Sequence, residues 1–150
     1  MKHVISLLLI LSFCFVLIPS CAEKASETLM DRVLRVAEDS SDLIRMDEDE
    51  LYDVIGIAPE DYSDYAYLAD YDALSGRELV LVRAVDEEAA ERISTLLSLY
   101  LEHRLKATRN YLPDVYRALS EAVVRQENLL LVLSVAPPDP EEASLLLQEE

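Results

Sequence analysis

The sequence predicts an α+β domain with a roughly four-stranded antiparallel sheet, built from two ββα-like units, with helices packed on one face and additional N-terminal helices. Two runs of mostly apolar residues, 79–85 and 129–135, are typical of central strands. A long segment after residue 86 has apolar residues at helical spacing. The order strand, turn, strand, acidic cap and helix occurs in residues 64–97 and again in 121–147. Chance similarity of two amphipathic units also explains this repeat, and the α+β class does not depend on it.

Residues 1–20 have the pattern of a secretory signal peptide. Lys2 and His3 precede an apolar run from Val4 to Ile18, and no acidic residue occurs before Glu23. The run is short for a bilayer span, which needs about 20 residues. A buried core helix is the alternative, which the N-terminal position disfavours. We therefore expect export.

Cys21 directly follows the apolar segment, in the run Leu17-Ile18-Pro19-Ser20-Cys21. This junction resembles a bacterial lipobox, which implies cleavage before Cys21 and attachment to the cell membrane through acyl chains such as palmitate. Residues 21–26 would then be a short tether, at most about 20 Å long. Cleavage after Ala22 is the alternative, and it would release a soluble secreted protein.

Residues 27–150 are predicted to form one domain, because 150 residues with 51% hydrophobic content can bury a core. The formal net charge of −17 excludes nucleic acid as a natural partner. Two Gly leave no phosphate-binding loop, and two Cys build no disulfide scaffold. Residues 38–72 hold 13 acidic residues and one base, Arg45. Anionic headgroups would repel this segment, so we expect it to point away from the membrane.

Two N-terminal helices are predicted, over residues 27–38 and 47–55. Asp47 is placed to cap the second, Glu50 stands at the capping-box position, and Gly56 ends it. The predicted buried stripe of this helix consists of Leu51, Val54 and Ile55. Residues 57–63 are expected to form a loop.

The remaining elements follow in regular order. Alternation over residues 65–71 predicts a half-buried strand, which a turn at Ser75-Gly76 joins to the central strand 79–85. Asp86 caps the longest predicted helix, which ends at Asn110. Pro113 begins a short helix, and we expect the flanking Tyr111 and Tyr116 to lock its junction. A hairpin of strands 122–125 and 129–135 and a helix over 141–147 complete the prediction.

Three segments indicate a known family. They are residues 51–57 (LYDVIGI), residues 78–82 (ELVLV) leading into Asp86, and residues 110–116 (NYLPDVY) followed by the hairpin. On these, residues 43–148 resemble bacterial lipoproteins of the domain of unknown function 4358 family. The resemblance implies export and a single small domain. It implies no catalytic residue, because the family has no established activity to carry over.

The sequence lends little support to a catalytic or metal site. His103 lies on the polar side of the long helix and has no free Cys as a partner. Asp47, Asp49 and Glu50 are weak candidate Ca²⁺ ligands, because Tyr52 occupies the position at which an EF-hand loop needs Gly. Zinc lacks His and Cys ligands. A carboxylate pair for glycan hydrolysis cannot be singled out among 30 acidic residues. No cofactor is expected.

Four tyrosines stand in the acidic stretch: Tyr62, Tyr65, Tyr67 and Tyr71. One interpretation is a contact surface, since Tyr is enriched at binding sites. The other is a sheet face packed under helices, with hydroxyl groups reaching its rim.

The favoured hypothesis is an exported, lipid-anchored, non-enzymatic envelope protein. It would present an acidic, Tyr-bearing surface to an extracytoplasmic partner, either an envelope protein or a cell-wall component. The alternative is a Ca²⁺-dependent or ion-responsive binding module, and a third candidate is a cell-wall glycan hydrolase.

Overall fold

A computed structural model describes residues 27–36, 43–70, 72 and 75–135. The predicted signal peptide, Cys21, the tether, Tyr71 and the predicted helix 141–147 lie outside the described residues. The elements in chain order are α1 (Leu29–Val36), β1 (Leu43–Arg45), α2 (Glu48–Glu50) with a π-helical turn (Leu51–Ile55), a 3₁₀ turn (Pro59–Asp61), β2 (Tyr62–Asp70), β3 (Glu78–Ala84), α3 (Glu87–Thr108), α4 (Pro113–Ser120), β4 (Val123–Glu127) and β5 (Leu130–Val135).

The described strands form one antiparallel sheet in the order β1-β2-β3-β5-β4. The β2–β3 and β4–β5 hairpins meet where β3 pairs with β5, with Leu81 opposite Val132. This confirms the predicted α+β class and the edge-to-edge pairing of two hairpins. The fifth strand, β1, was not predicted, because three residues are too few to show alternation.

One face of the sheet, which we call the first face, is covered by α3, α4 and the π-turn. Asp86 caps α3 by accepting a hydrogen bond from the Ala89 N–H at 2.8 Å, as predicted. The buried residues of this layer come from every one of these elements: Leu51, Ile55, Val80, Val82, Ile93, Leu97, Val115, Leu119, Leu131 and Leu133.

The opposite face, which we call the second face, is packed against α1. Three α1 residues form one buried cluster with sheet residues that include Leu81 and Val132; they are Leu29, Met30 and Val33. Helices therefore lie on both faces of the sheet. The reason is visible in β3 and β5, whose consecutive apolar residues are buried on both sides and need a cover on each.

The N-terminal end of α1 is attached to the first residues of β2. The Leu29 N–H at the start of α1 donates to Asp64 Oδ2 at 2.8 Å. Thr28 caps the helix, since its Oγ1 accepts from the Asp31 N–H at 3.1 Å. With Leu29 and Val33 fully buried, the start of α1 is held beside the first residues of β2.

Three local predictions were wrong. Strand β2 begins at Tyr62, inside the predicted loop, and a bulge follows between Tyr62 and Asp64. Val54 is exposed, because a π-turn holds more residues than the 3.6 of an α-helical turn; Leu51 and Ile55 stay buried while Val54 turns outward. Tyr111 is 83% exposed and locks no junction.

Candidate functional site

A cluster of polar side chains lies in the interior, at the start of β3. Glu78 is its centre, and only 2% of its side chain is exposed. Its Oε1 accepts from the Tyr67 hydroxyl at 2.7 Å and from the Tyr100 hydroxyl at 2.8 Å. Its Oε2 accepts from Nη1 of Arg104. The Cζ atom of Arg104 lies over the Tyr100 ring, 5.6 Å from the ring centroid. The cluster therefore ties β2 and β3 to the C-terminal half of α3.

The Glu78 carboxylate is buried and has hydrogen-bond partners on both of its oxygens. Both carboxylate oxygens of Glu78 are engaged, and an ion pair with Arg104 offsets the cost of its burial. Burial and the neighbouring Glu78 carboxylate raise the pKa of Tyr67 far above its ordinary value, and they raise the pKa of Tyr100 to about 12. These hydroxyl groups stay protonated and serve as hydrogen-bond donors to Glu78.

The raised pKa of Tyr100 predicts a loss of stability at high pH. A Tyr hydroxyl of pKa near 10 in the unfolded chain and about 12 in the folded chain stabilises the fold fully below pH 10. That contribution is lost as the pH rises from about 10 to about 12. We expect Tyr100→Phe to show a smaller fall in unfolding free energy over this interval, measured by urea denaturation. Tyr111→Phe, at an exposed position, is the control; identical slopes in both variants would contradict the prediction.

A second buried carboxylate, Asp61, pairs with Arg92. Asp61 Oδ1 accepts from Nε of Arg92 at 3.1 Å and from Nη2 at 2.6 Å, while Arg92 Nη1 reaches Glu88 at 3.0 Å. The Val85 N–H donates to the Asp61 carbonyl oxygen at 3.0 Å. Asp61 therefore lies beside the C-terminal end of β3, whereas Glu78 is the first residue of this strand. Seven extended residues separate these ends by about 23 Å. Asp61 and Glu78 are therefore too far apart to act as a hydrolytic carboxylate pair, which needs less than about 10 Å.

The candidate Ca²⁺ ligands form a helix cap. The Glu50 N–H donates to Asp47 Oδ1 at 3.1 Å, and the Asp47 N–H donates to Glu50 Oε2 at 2.8 Å. This confirms the predicted capping box, while Asp49 is exposed beside it. Within the described ranges, no group of three or more His, Cys, Asp or Glu side chains is arranged to hold a metal ion. His103 is exposed on α3.

The structure brings two of the four candidate tyrosines together at the surface. The rings of Tyr62 and Tyr65 are T-shaped with centroids 5.3 Å apart, and both are half-buried against the first-face core. The Tyr62 hydroxyl donates to Glu48 Oε1 at 3.0 Å. Burial raises the pKa of both groups. Tyr67 is 2% exposed and contributes no surface.

Acidic side chains gather at the end of the sheet where β2 and α3 begin. We call this region the acidic end, and its exposed members are Asp47, Glu48, Asp49, Glu60, Asp86, Glu87, Glu88 and Glu91. Two contacts connect the elements of the acidic end. The Tyr62 hydroxyl donates a hydrogen bond to Glu48 of α2, and Asp61 forms an ion pair with Arg92 of α3. A shallow groove between Glu87, Glu91 and the β4–β5 turn extends it. The α3 members were not predicted, because acidic and basic residues are equal in number over residues 77–125.

These features define a small α+β domain, with a five-stranded antiparallel sheet covered on both faces, a closed polar cluster inside and an acidic end. No described helix is both long and apolar enough to cross a bilayer. The family model for the domain of unknown function DUF4358 matches residues 36–136, and the chain belongs to this family. That confirms the resemblance to this family that the sequence indicated. Comparisons with curated proteins and with solved structures gave no match.

Proposed function

We propose that the protein is an exported, lipid-anchored, non-enzymatic envelope protein that presents its acidic end to an extracytoplasmic partner. The observation that carries the proposal is the segregation of charge. Eight exposed carboxylates share the acidic end, where Arg92 is paired with Asp61 and Glu88 and the exposed Arg45 lies near Tyr65, so negative charge is in excess. A surface of this kind steers and orients a positively charged partner.

The interior supports a binding role over a catalytic one. The buried carboxylates Glu78 and Asp61 are each paired with an arginine, and they lie at opposite ends of β3. Asp61 lines a shallow cleft with Arg92 and Leu96, but it is held by the guanidinium of Arg92, whereas a catalytic acid or base is usually free to exchange a proton. Tyr62 and Tyr65, half-buried at the acidic end, add amphipathic contact area of the type common in interfaces.

An anchor at Cys21 would place the acidic end close to the membrane. The described chain enters the fold beside Asp64, at this end of β2. The eight residues 21–28 extend to at most about 28 Å. This differs from the expectation that the acidic region points away from the lipid. The partner of a lipid-anchored form would accordingly lie at the membrane surface, within reach of the tether.

The anchor is tested by the intact mass of the mature protein from the membrane fraction. We expect a chain that begins at Cys21 and carries acyl chains, and we expect Cys21→Ser to abolish that species. The full chain with Ser26→Ala, which keeps the whole junction through Cys21, is a control for a general effect of substitution in this part of the chain. A soluble wild-type product that begins at Glu23 would contradict lipid anchoring and favour a secreted binding protein.

A further inference from the structure

We propose that the free edge of β4 is a docking site for an extended, basic segment of a partner protein. The segment would add to the sheet as an antiparallel strand and direct a Lys or Arg side chain toward Glu87 and Glu91 of α3. The proposal rests on the proposed function, because the groove beside these two residues extends the acidic end. It adds the conformation of the partner and the place at which the partner binds.

Strand β4 is an edge strand that can accept a partner. Among the described strands it pairs with β5 alone, and the pairing runs without a bulge over five residue pairs. The last three residues of the strand, Arg125, Gln126 and Glu127, are exposed. The opposite edge of the sheet, β1, has only three residues. Unpaired N–H and C=O groups along a regular edge are a template for an added strand.

One hydrogen bond fixes which backbone groups of β4 face away from the sheet. The Ala84 N–H donates to the Leu129 carbonyl oxygen at 2.8 Å, so Leu129 and every second residue after it bond to β3. The residues between them bond to β4, where their partners are Val123, Arg125 and Glu127. The N–H and C=O groups of Val124 and Gln126 therefore point outward, away from β5.

A long side chain on the added strand would enter the groove between β4 and α3. Gln126 lies opposite Leu131 and therefore on the first face, which α3 covers. It lines this groove together with Glu87 and Glu91. An added residue directly opposite Gln126 would have its Cβ atom about 4.5–5.5 Å from that of Gln126, on the same face. The strand edge and the groove thus act on one residue of the partner.

Charge in the groove favours Lys or Arg at that position. Glu87 and Glu91 are four residues apart on α3, a spacing at which like charges destabilise a helix. Among the residues that the structure describes, neither carboxylate has an ion-pair partner. Arg92 is paired in a neighbouring groove, and the strand residues Arg83 and Arg125 lie on the second face. A second copy joined edge to edge would bring two such acidic pairs together, so we assign the edge to a basic partner.

The test measures binding of a short labelled peptide of alternating Lys and Thr to the mature chain carrying Cys21→Ser. In a second peptide the backbone nitrogens of the Lys residues are methylated, and in its matched control those of the Thr residues. A Lys opposite Gln126 bonds to β4 through its own N–H. We therefore expect methylation at Lys to raise Kd about tenfold, equivalent to about 1.4 kcal/mol, and methylation at Thr to leave Kd unchanged.

Two measurements on the protein locate the site. The double variant Glu87→Gln with Glu91→Gln should also raise Kd about tenfold. Its control, Glu102→Gln with Glu121→Gln, removes two exposed acids outside the groove and should leave Kd unchanged. The bound peptide should slow amide hydrogen exchange at Gln126, whose N–H points outward in the free chain. Urea unfolding of each variant checks that the fold is retained.

The outcomes separate this inference from the proposed function. Equal affinity for the two methylated peptides, lowered by the Glu87 and Glu91 substitutions, would overturn strand addition and keep an acidic binding end that acts by charge alone. A chain that self-associates without peptide, with slowed exchange at Gln126, would assign the edge to a second copy instead. If no peptide binds, the edge proposal fails, and the intact mass of the mature protein still decides the anchor.

Discussion

Replacing Arg104 with Ala is expected to lower the free energy of unfolding by about 3–5 kcal/mol, because it leaves the buried Glu78 carboxylate without its counter-ion. Tyr67 and Tyr100 would still donate to Oε1, but a charge in the interior needs more than two neutral donors. Urea denaturation followed by circular dichroism measures the change.

The control for Arg104→Ala is Arg109→Ala, which removes the same side chain from an exposed position at the end of the same helix. A surface substitution of this kind costs within about 0.5 kcal/mol. The double variant Glu78→Gln with Arg104→Ala should be more stable than Arg104→Ala alone, since the uncompensated charge is gone. A loss in Arg104→Ala no larger than in Arg109→Ala would show that Glu78 does not need this ion pair.

The sheet and the helices α3 and α4 were predictable because their signals are local. Asp86 marks the start of α3 because its carboxylate can accept a hydrogen bond from the first turn. Pro113 marks the start of α4 because its ring fixes φ near the helical value. Asn128 adopts φ of 52° in the hairpin turn, as its side chain allows. Consecutive apolar residues in β3 and β5 indicated central strands, and these strands are buried on both sides.

The Glu78 cluster was not predictable, because its members come from three elements. Glu78 is one of 30 acidic residues, and nothing in its neighbours reveals burial except the apolar run that follows it. One signal was available for Arg104. It stands seven residues after the buried Leu97, so it continues the buried stripe of α3 instead of its polar side. A charged residue on such a stripe requires a buried partner.

The exposed Val54 has a different cause. The spacing of Leu51, Val54 and Ile55 fits an α-helical stripe, and the sequence holds no mark of a π-turn. The turn arises where Gly56 must end the helix in the left-handed region while Leu51 and Ile55 both reach the core. Tertiary packing thus overrides local periodicity at Val54.

Replacing Gly76 with Ala is expected to destabilise the domain by about 2–5 kcal/mol, the sum of a backbone cost and a steric cost. Gly76 has φ of 71°, a conformation that costs an L-residue about 1–2 kcal/mol. The added Cβ would lie 2.8 Å from Cγ1 of Val115, which is buried between α4 and the sheet. Such overpacking costs about 1–3 kcal/mol more. Urea denaturation of the variant measures the sum.

Gly56→Ala separates the two contributions to the Gly76→Ala effect. Gly56 also has positive φ, 90°, but its added Cβ would meet Leu96 at an ordinary contact distance of 3.6 Å. We expect only the backbone cost there, about 1–2 kcal/mol. Val115→Ala combined with Gly76→Ala should be less destabilised than the sum of the two single variants, because the clash is then removed. Equal losses at Gly56 and Gly76 would mean that α4 shifts freely away from the β2–β3 turn.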